Sequence, residues 1–126
     1  MGLPGTSPFV AVVDDDESVR EALPDLLRVL GFTVEAFASA EAYLGSAAPG
    51  RTNCLILDVA MPGMSGPELQ AELSGRGLAI PIVFITAHTD DSMRLRVLAA
   101  GAVECLRKPF SDTALVDAVT AALQTA

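Results

Sequence analysis

Apolar residues run without a break from Phe9 to Val13 and from Leu55 to Leu57, and each run stops at a carboxylate, Asp14 or Asp58. Runs of this length are the mark of strands covered on both faces. A third, Ile80 to Ile85, is interrupted only by Pro81 and ends at Thr86. Between them the apolar spacing changes to three and four. Val19, Ala22, Leu23, Leu26, Leu27 and Leu30 predict a helix, with Gly31 placed to close it in the left-handed conformation. Pro24 falls inside that helix but off this stripe, which predicts a kink on the exposed side and not a break.

Carried along the whole chain, the same reading predicts five strands, at 9–13, 32–37, 53–58, 80–86 and 103–107. The remaining helices are predicted over 40–47, capped by Ser39 and ended by Pro49 and Gly50, and over 66–74, with Pro67 in its first turn and Gly75 and Gly77 at its close. A fourth begins at Thr89 or Asp90 and is terminated at Gly101, and a fifth spans 111–124 with Leu115, Ala118, Val119, Ala122 and Leu123 on one face. Strand and helix alternate throughout. Right-handed crossovers then favour an α/β architecture: a doubly wound parallel sheet with helices on both faces, most often in the flavodoxin-like order 2-1-3-4-5. In that order strands 1 and 3 are neighbours, and Asp14, Asp15 and Asp58 gather at their carboxyl ends.

With 126 residues, 51% of them hydrophobic, the chain is expected to be one domain over residues 9–126, with a flexible lead-in at 1–8 too short and uncharged for a signal peptide. A cytoplasmic location is the default, and no apolar run approaches the roughly 20 residues of a membrane span. Eight basic residues against 16 acidic ones give a formal charge of -8, which opposes nucleic-acid binding by this segment. Cys54 and Cys105 sit in strand-like runs without metal-ligand spacing and read as small core residues.

Three ionised carboxylates about 5 Å apart repel by roughly 3 kcal/mol per pair at an effective dielectric near 20, about 10 kcal/mol in all. Protonation, a divalent cation or a nearby lysine must relieve this. All-oxygen ligands beside an open loop suit Mg²⁺ better than Zn²⁺. The fourth strand supplies a hydroxyl at its end, Thr86, and the fifth an ammonium, Lys108, followed by the stiff Pro109. A carboxylate beside Mg²⁺, a hydroxyl and a lysine is a donor set suited to in-line phosphoryl transfer onto aspartate. Each residue alone is an ordinary strand-end residue, and Asp16 and Glu17 read best as a helix cap. The weight lies in four strands each ending in the required type.

Val13-Asp14-Asp15-Asp16-Glu17, the stretch from Leu57 through Asp58, Ala60 and Pro62 to Gly66, Ile85-Thr86-Ala87-His88 and Lys108-Pro109-Phe110 together resemble the receiver domain of bacterial two-component response regulators, nearest the FixJ type. The resemblance covers the chain from Phe9 onward. It implies a CheY-like fold in which Asp58 is the phosphoacceptor and Asp14, Asp15, Asp58 and the Ala60 backbone carbonyl hold Mg²⁺. It further implies that Thr86 binds the phosphoryl group and that Lys108 pairs with phosphate ahead of a cis Pro109. The implied partner is a sensor histidine kinase. The face made by the fourth helix, fifth strand and fifth helix would pass the signal on, often by homodimerisation, to an output that in this family is commonly transcriptional. Ala60 and His88 occupy positions that in this family tune hydrolysis of the acyl phosphate. Cys105 stands where the family often has an aromatic switch residue, which puts the usual coupling in question.

Two rival readings remain at this stage: a module of the same fold that works unphosphorylated, and an enzyme such as an aspartate-nucleophile phosphatase, for which Asp14 and Asp16 have the spacing, or a flavin binder, for which no phosphate loop is evident.

Overall fold

The structure, a computed structural model, describes residues 7–87 and 91–125. Three strands form where the apolar runs demand them: β1 (Phe9–Val13), β3 (Cys54–Asp58) and β4 (Ile82–Thr86), each buried along its whole length. The flanking strands β2 (Thr33–Phe37) and β5 (Glu104–Arg107) are only partly covered, as edge positions require. All pairings are parallel and the order is β2-β1-β3-β4-β5, the flavodoxin-like order expected.

Five helices cover the sheet: α1 (Glu17–Val29), α2 (Ala40–Leu44), α3 (Gly66–Gly75), α4 (Asp91–Ala99) and α5 (Asp112–Thr125). Side-chain alternation along the strands divides the interior into two cores. Val10, Val12, Cys54, Ile56, Val83 and Ile85 pack with Leu23 and Leu27 of α1 and Leu115, Val119 and Ala122 of α5. Their strand neighbours Ala11, Val13, Leu55, Leu57 and Phe84 pack with Tyr43 of α2, Leu69 and Leu73 of α3 and Val97 of α4. Both cysteines are free and buried, as expected. Burial pushes the Cys54 thiol up to about 12, so it stays protonated.

Helix ends follow the glycine signals. After α1, the Gly31 N–H donates to the Arg28 carbonyl and the Phe32 N–H to the Leu27 carbonyl, with Gly31 at φ 95°; Gly77 and Gly101 close α3 and α4 with the same pair of bonds. For α3 it is therefore Gly77 that ends the helix, while Gly75 lies within it.

Two expectations fail. Pro24 is buried beside Leu23 and Leu27, whereas Ala22 and Leu30 of the expected stripe are exposed. Residues 23, 24 and 27 form an ordinary helical i, i+1, i+4 face, on which the proline ring packs as an apolar group. The helix runs unbroken from Glu17 to Val29 through it. Helix α2 also stops short, capped at Gly45, and Ala48–Gly50 forms a separate 3₁₀ turn, so Pro49 and Gly50 lie in that turn instead of ending α2. Ser46 makes the division: its hydroxyl donates to the Tyr43 carbonyl and accepts from the Ala48 N–H. His88 and the expected helix start at Thr89 or Asp90 lie outside the described residues.

Candidate functional site

Register brings the acids together. Val10 lies opposite Cys54 and Val12 opposite Ile56, so one further step along the two parallel strands sets Asp14 opposite Asp58 on the same face of the sheet. Asp14 is wholly buried and Asp58 is 6% exposed, whereas Asp15 reaches solvent. One oxygen from each of Asp14, Asp15 and Asp58 falls within 4.8 Å of the others. Asp16 does not join them. Its carboxylate caps α1 by accepting from the Ser18 N–H, which holds its own carboxyl below the usual range.

Lys108 enters from the end of β5. Its Nζ donates to Asp14 Oδ2 at 2.9 Å and lies 3.8 Å from Asp58 Oδ1. The Lys108 N–H donates to the Thr86 carbonyl at 2.7 Å, and the Lys108–Pro109 peptide is cis, as the resemblance implied. Burial works against the Lys108 ammonium, but the Asp14 hydrogen bond and the charges of Asp58, Asp14 and Asp16 prevail and hold it above its ordinary value. Asp58 is raised as well, which for a carboxylate disfavours the charged form: burial first, and the Asp14 charge second, push it up to about 7 against the opposing pull of Lys108. The crowding expected of three acids is thus present, and the lysine relieves it only in part.

Thr86 is buried at the end of β4, directly after Ile85, the residue paired with Asp58. On the same face of the sheet lies Cys105, whose strand partner is Phe84. Cys105 borders a cavity of about 440 Å³ that Thr86, Arg94 and Arg107 also line. Arg94 spans this region from α4, pairing with Glu104 at 3.1 Å and donating to the Cys105 carbonyl. Ala60 is exposed in the loop after β3.

Three residues outside the acid cluster support the site, and two of them, Arg20 and Glu41, carry no local sequence signal. Arg20, at the end of the first turn of α1, donates through Nη1 to the Asp14 carbonyl at 3.1 Å. Glu41 of α2 accepts from the Met64 N–H at 2.9 Å, reaching the loop that follows Asp58 from 23 residues away. Gly66 lies so close under β3 that a Cβ there would collide with the Asp58 carbonyl oxygen and press on the Phe84 ring. Only Gly66 had a local cue, as a glycine opening a helix directly after a strand and loop.

The chemistry available is that of hard oxygen donors at the mouth of a loop, with an ammonium at their edge. Carboxylates of this kind, one of them exposed, fit a divalent cation that prefers oxygen and retains waters, as Mg²⁺ does. Among the described residues no helix is long and apolar enough to cross a membrane.

Residues 10–120 match the family model of the response regulator receiver domain. Nodulation protein W of Bradyrhizobium diazoefficiens is 48% identical over 119 residues, covering 94% of this chain and 52% of that protein. Transcriptional regulatory protein FixJ of Rhizobium meliloti is 42% identical over 114 residues, covering 90% of this chain and 56% of that one. The solved structure of response regulator StyR superposes with a TM-score of 0.88 at 52% identity, over 95% of this chain and 61% of StyR. The chain therefore spans about half the length of the relatives it matches. With the sheet order, the acid triad and the strand-end lysine in place, the chain belongs to the family of response regulator receiver domains of two-component systems.

Proposed function

We propose that this domain is a cytoplasmic phosphorelay switch that accepts a phosphoryl group on Asp58 from a phosphohistidine of a sensor histidine kinase. An Asp58 oxygen attacks phosphorus in line. The P–N bond breaks, the imidazole leaves and takes up a proton, and an acyl phosphate forms on Asp58. Asp14, Asp15, Asp58 and the Ala60 carbonyl would hold Mg²⁺, which when bound supplies positive charge beside the transferring oxygens. Lys108, already poised between Asp14 and Asp58, turns toward the added phosphate and balances its charge. Thr86 offers its hydroxyl to a phosphoryl oxygen and so links the modified site to the end of β4. Ala60 and His88 together set the rate at which the domain hydrolyses its own acyl phosphate.

The signal leaves through the α4, β5 and α5 face, by homodimerisation or by contact with an output partner, and the FixJ relative makes transcription the favoured output. Since position 105 is a thiol and not a ring, transmission from Thr86 runs through packing around the adjoining cavity and not through a swinging aromatic side chain. One observation carries this reading: three carboxylates within 4.8 Å of one another, with Lys108 Nζ 3.8 Å from the one that ends β3. Incubation with acetyl phosphate and Mg²⁺, followed by mass measurement, tests it. Phosphate uptake is expected in the wild type, and none after chelation or in Asp58→Asn. Equal uptake by Asp58→Asn would remove the claim.

A further inference from the structure

The loop joining β3 to α3 is fastened at three points. At its base the Gly66 N–H donates to the Val59 carbonyl, while the Val59 N–H donates to the Ile85 carbonyl on β4. At its exit Ser65 and Glu68 form a reciprocal capping box that sets the first turn of α3. The third point comes from a different part of the chain. Glu41 Oε2 accepts from the Met64 N–H at 2.9 Å, and the chain turns at Gly63, φ +74°, where any Cβ would run into that same carboxylate. Between the base and this third point lie Ala60, Met61 and Pro62.

Glu41 is exposed, as is its hydrogen bond. A single solvated contact of that kind does little for global stability. It does have leverage on a short loop whose other end is already fixed, because it removes the remaining freedom of the peptide units between. We infer that Glu41 is a positioning residue for the metal end of the site: it sets the course of residues 60–62 and thereby the orientation of the Ala60 carbonyl toward the space between Asp14, Asp15 and Asp58. The inference rests on the reading of that space as a Mg²⁺ site. Glu41 does not touch the ion. It acts through the backbone, as residues that orient metal ligands commonly do.

The charge of Glu41 and its hydrogen bond can be separated, because glutamine keeps an acceptor oxygen at the same reach. Mg²⁺ alone is titrated into the wild type, Glu41→Gln and Glu41→Ala, following the backbone amide shifts of Val59 and Met61, with hydrogen exchange at the Met64 amide measured in parallel. Glu41→Ala is expected to weaken Mg²⁺ binding about fivefold and to speed exchange at Met64, and Glu41→Gln to restore both to within about twofold of the wild type. Wild-type affinity in Glu41→Ala overturns the role, and so does equal weakening in both variants, which would trace the effect to charge alone. A wild type indifferent to Mg²⁺ would sink the metal site and this inference together. A responsive wild type with an equally responsive Glu41→Ala would sink only the role of Glu41.

Discussion

The Lys108 ammonium is shared unequally between two buried carboxylates, hydrogen-bonded to Asp14 at 2.9 Å and 3.8 Å from Asp58. The lysine therefore compensates Asp14 before Asp58. Asp58 is left with little solvent and a neighbouring negative charge, which is why its carboxyl stands so far above the ordinary range. A base in that condition gains from any incoming positive charge.

Removing the lysine should make that imbalance measurable. In Lys108→Met, the wholly buried Asp14 loses its ion partner, a change that costs about 3 kcal/mol in comparable buried pairs. The loss should be larger at pH 8, where Asp58 is also ionised, than at pH 5, where it holds a proton. Urea unfolding of the metal-free protein at both pH values measures this. Equal losses would mean that Asp58 does not feel the lysine.

The pH dependence of the metal-free protein follows from Asp58 itself. Its folded-state value is about 7 against an ordinary 3.8, so between those limits the folded state holds a proton that the unfolded chain has released. The contribution of Asp58 is therefore fully present below about pH 4 and is lost as pH rises through 7. Asp58→Asn cannot titrate. Its melting temperature should match that of the wild type near pH 4 and exceed it by about 15 °C at pH 8, measured in the presence of chelator. Adding Mg²⁺ at pH 8 should raise the wild type and close the gap, with much less effect at pH 5, where the proton competes for the same oxygens.

Much of this site was legible in the chain because strand ends are legible. A buried parallel strand must be apolar throughout, so Asp14 and Asp58 stand out as the points where two strands emerge, and strand alternation sets them side by side once the order is known. The order itself was only the commonest solution for five alternating units until the pairing was seen. Glu41 and Arg20 were illegible for the opposite reason. Each acts by one hydrogen bond to a backbone group, and no residue type or local spacing at either end betrays a partner 23 or six residues away. Pro24 is hard to place from sequence because a missing N–H marks it as a helix breaker, although its ring packs like any other apolar group.

The two cysteines looked alike in the sequence and should part company under the same substitution. Cys54 is fully enclosed in the middle of the sheet, while Cys105 borders the open cavity beside Thr86. A phenylalanine at 105 has space to occupy, and Cys105→Phe should change stability by less than about 1 kcal/mol. Cys54→Phe must displace packed neighbours on α1 and α5 and should cost about 3 kcal/mol. Urea unfolding of the two variants decides it. A comparable loss at both positions would show that the cavity cannot admit a ring.

Gly66 and Gly75 are the first and last residues of helix α3, yet their surroundings differ completely. A Cβ at Gly75 would meet nothing within 4 Å, and the residue lies in the helix, so Gly75→Ala should stabilise the domain by about 0.5–1 kcal/mol through helix propensity. At Gly66 a Cβ would strike the carbonyl of Asp58 itself, and neither that peptide nor the Phe84 ring behind it is free to retreat, because both belong to fully buried strands. Gly66→Ala should cost about 3 kcal/mol or more and, by shifting Asp58 against Asp14 and Lys108, slow phosphate uptake even where the fold survives. Urea unfolding and acetyl phosphate labelling of the two variants, side by side, measure both effects. A Gly66→Ala protein as stable and as readily labelled as the wild type would mean that the close approach of α3 does not set the position of Asp58.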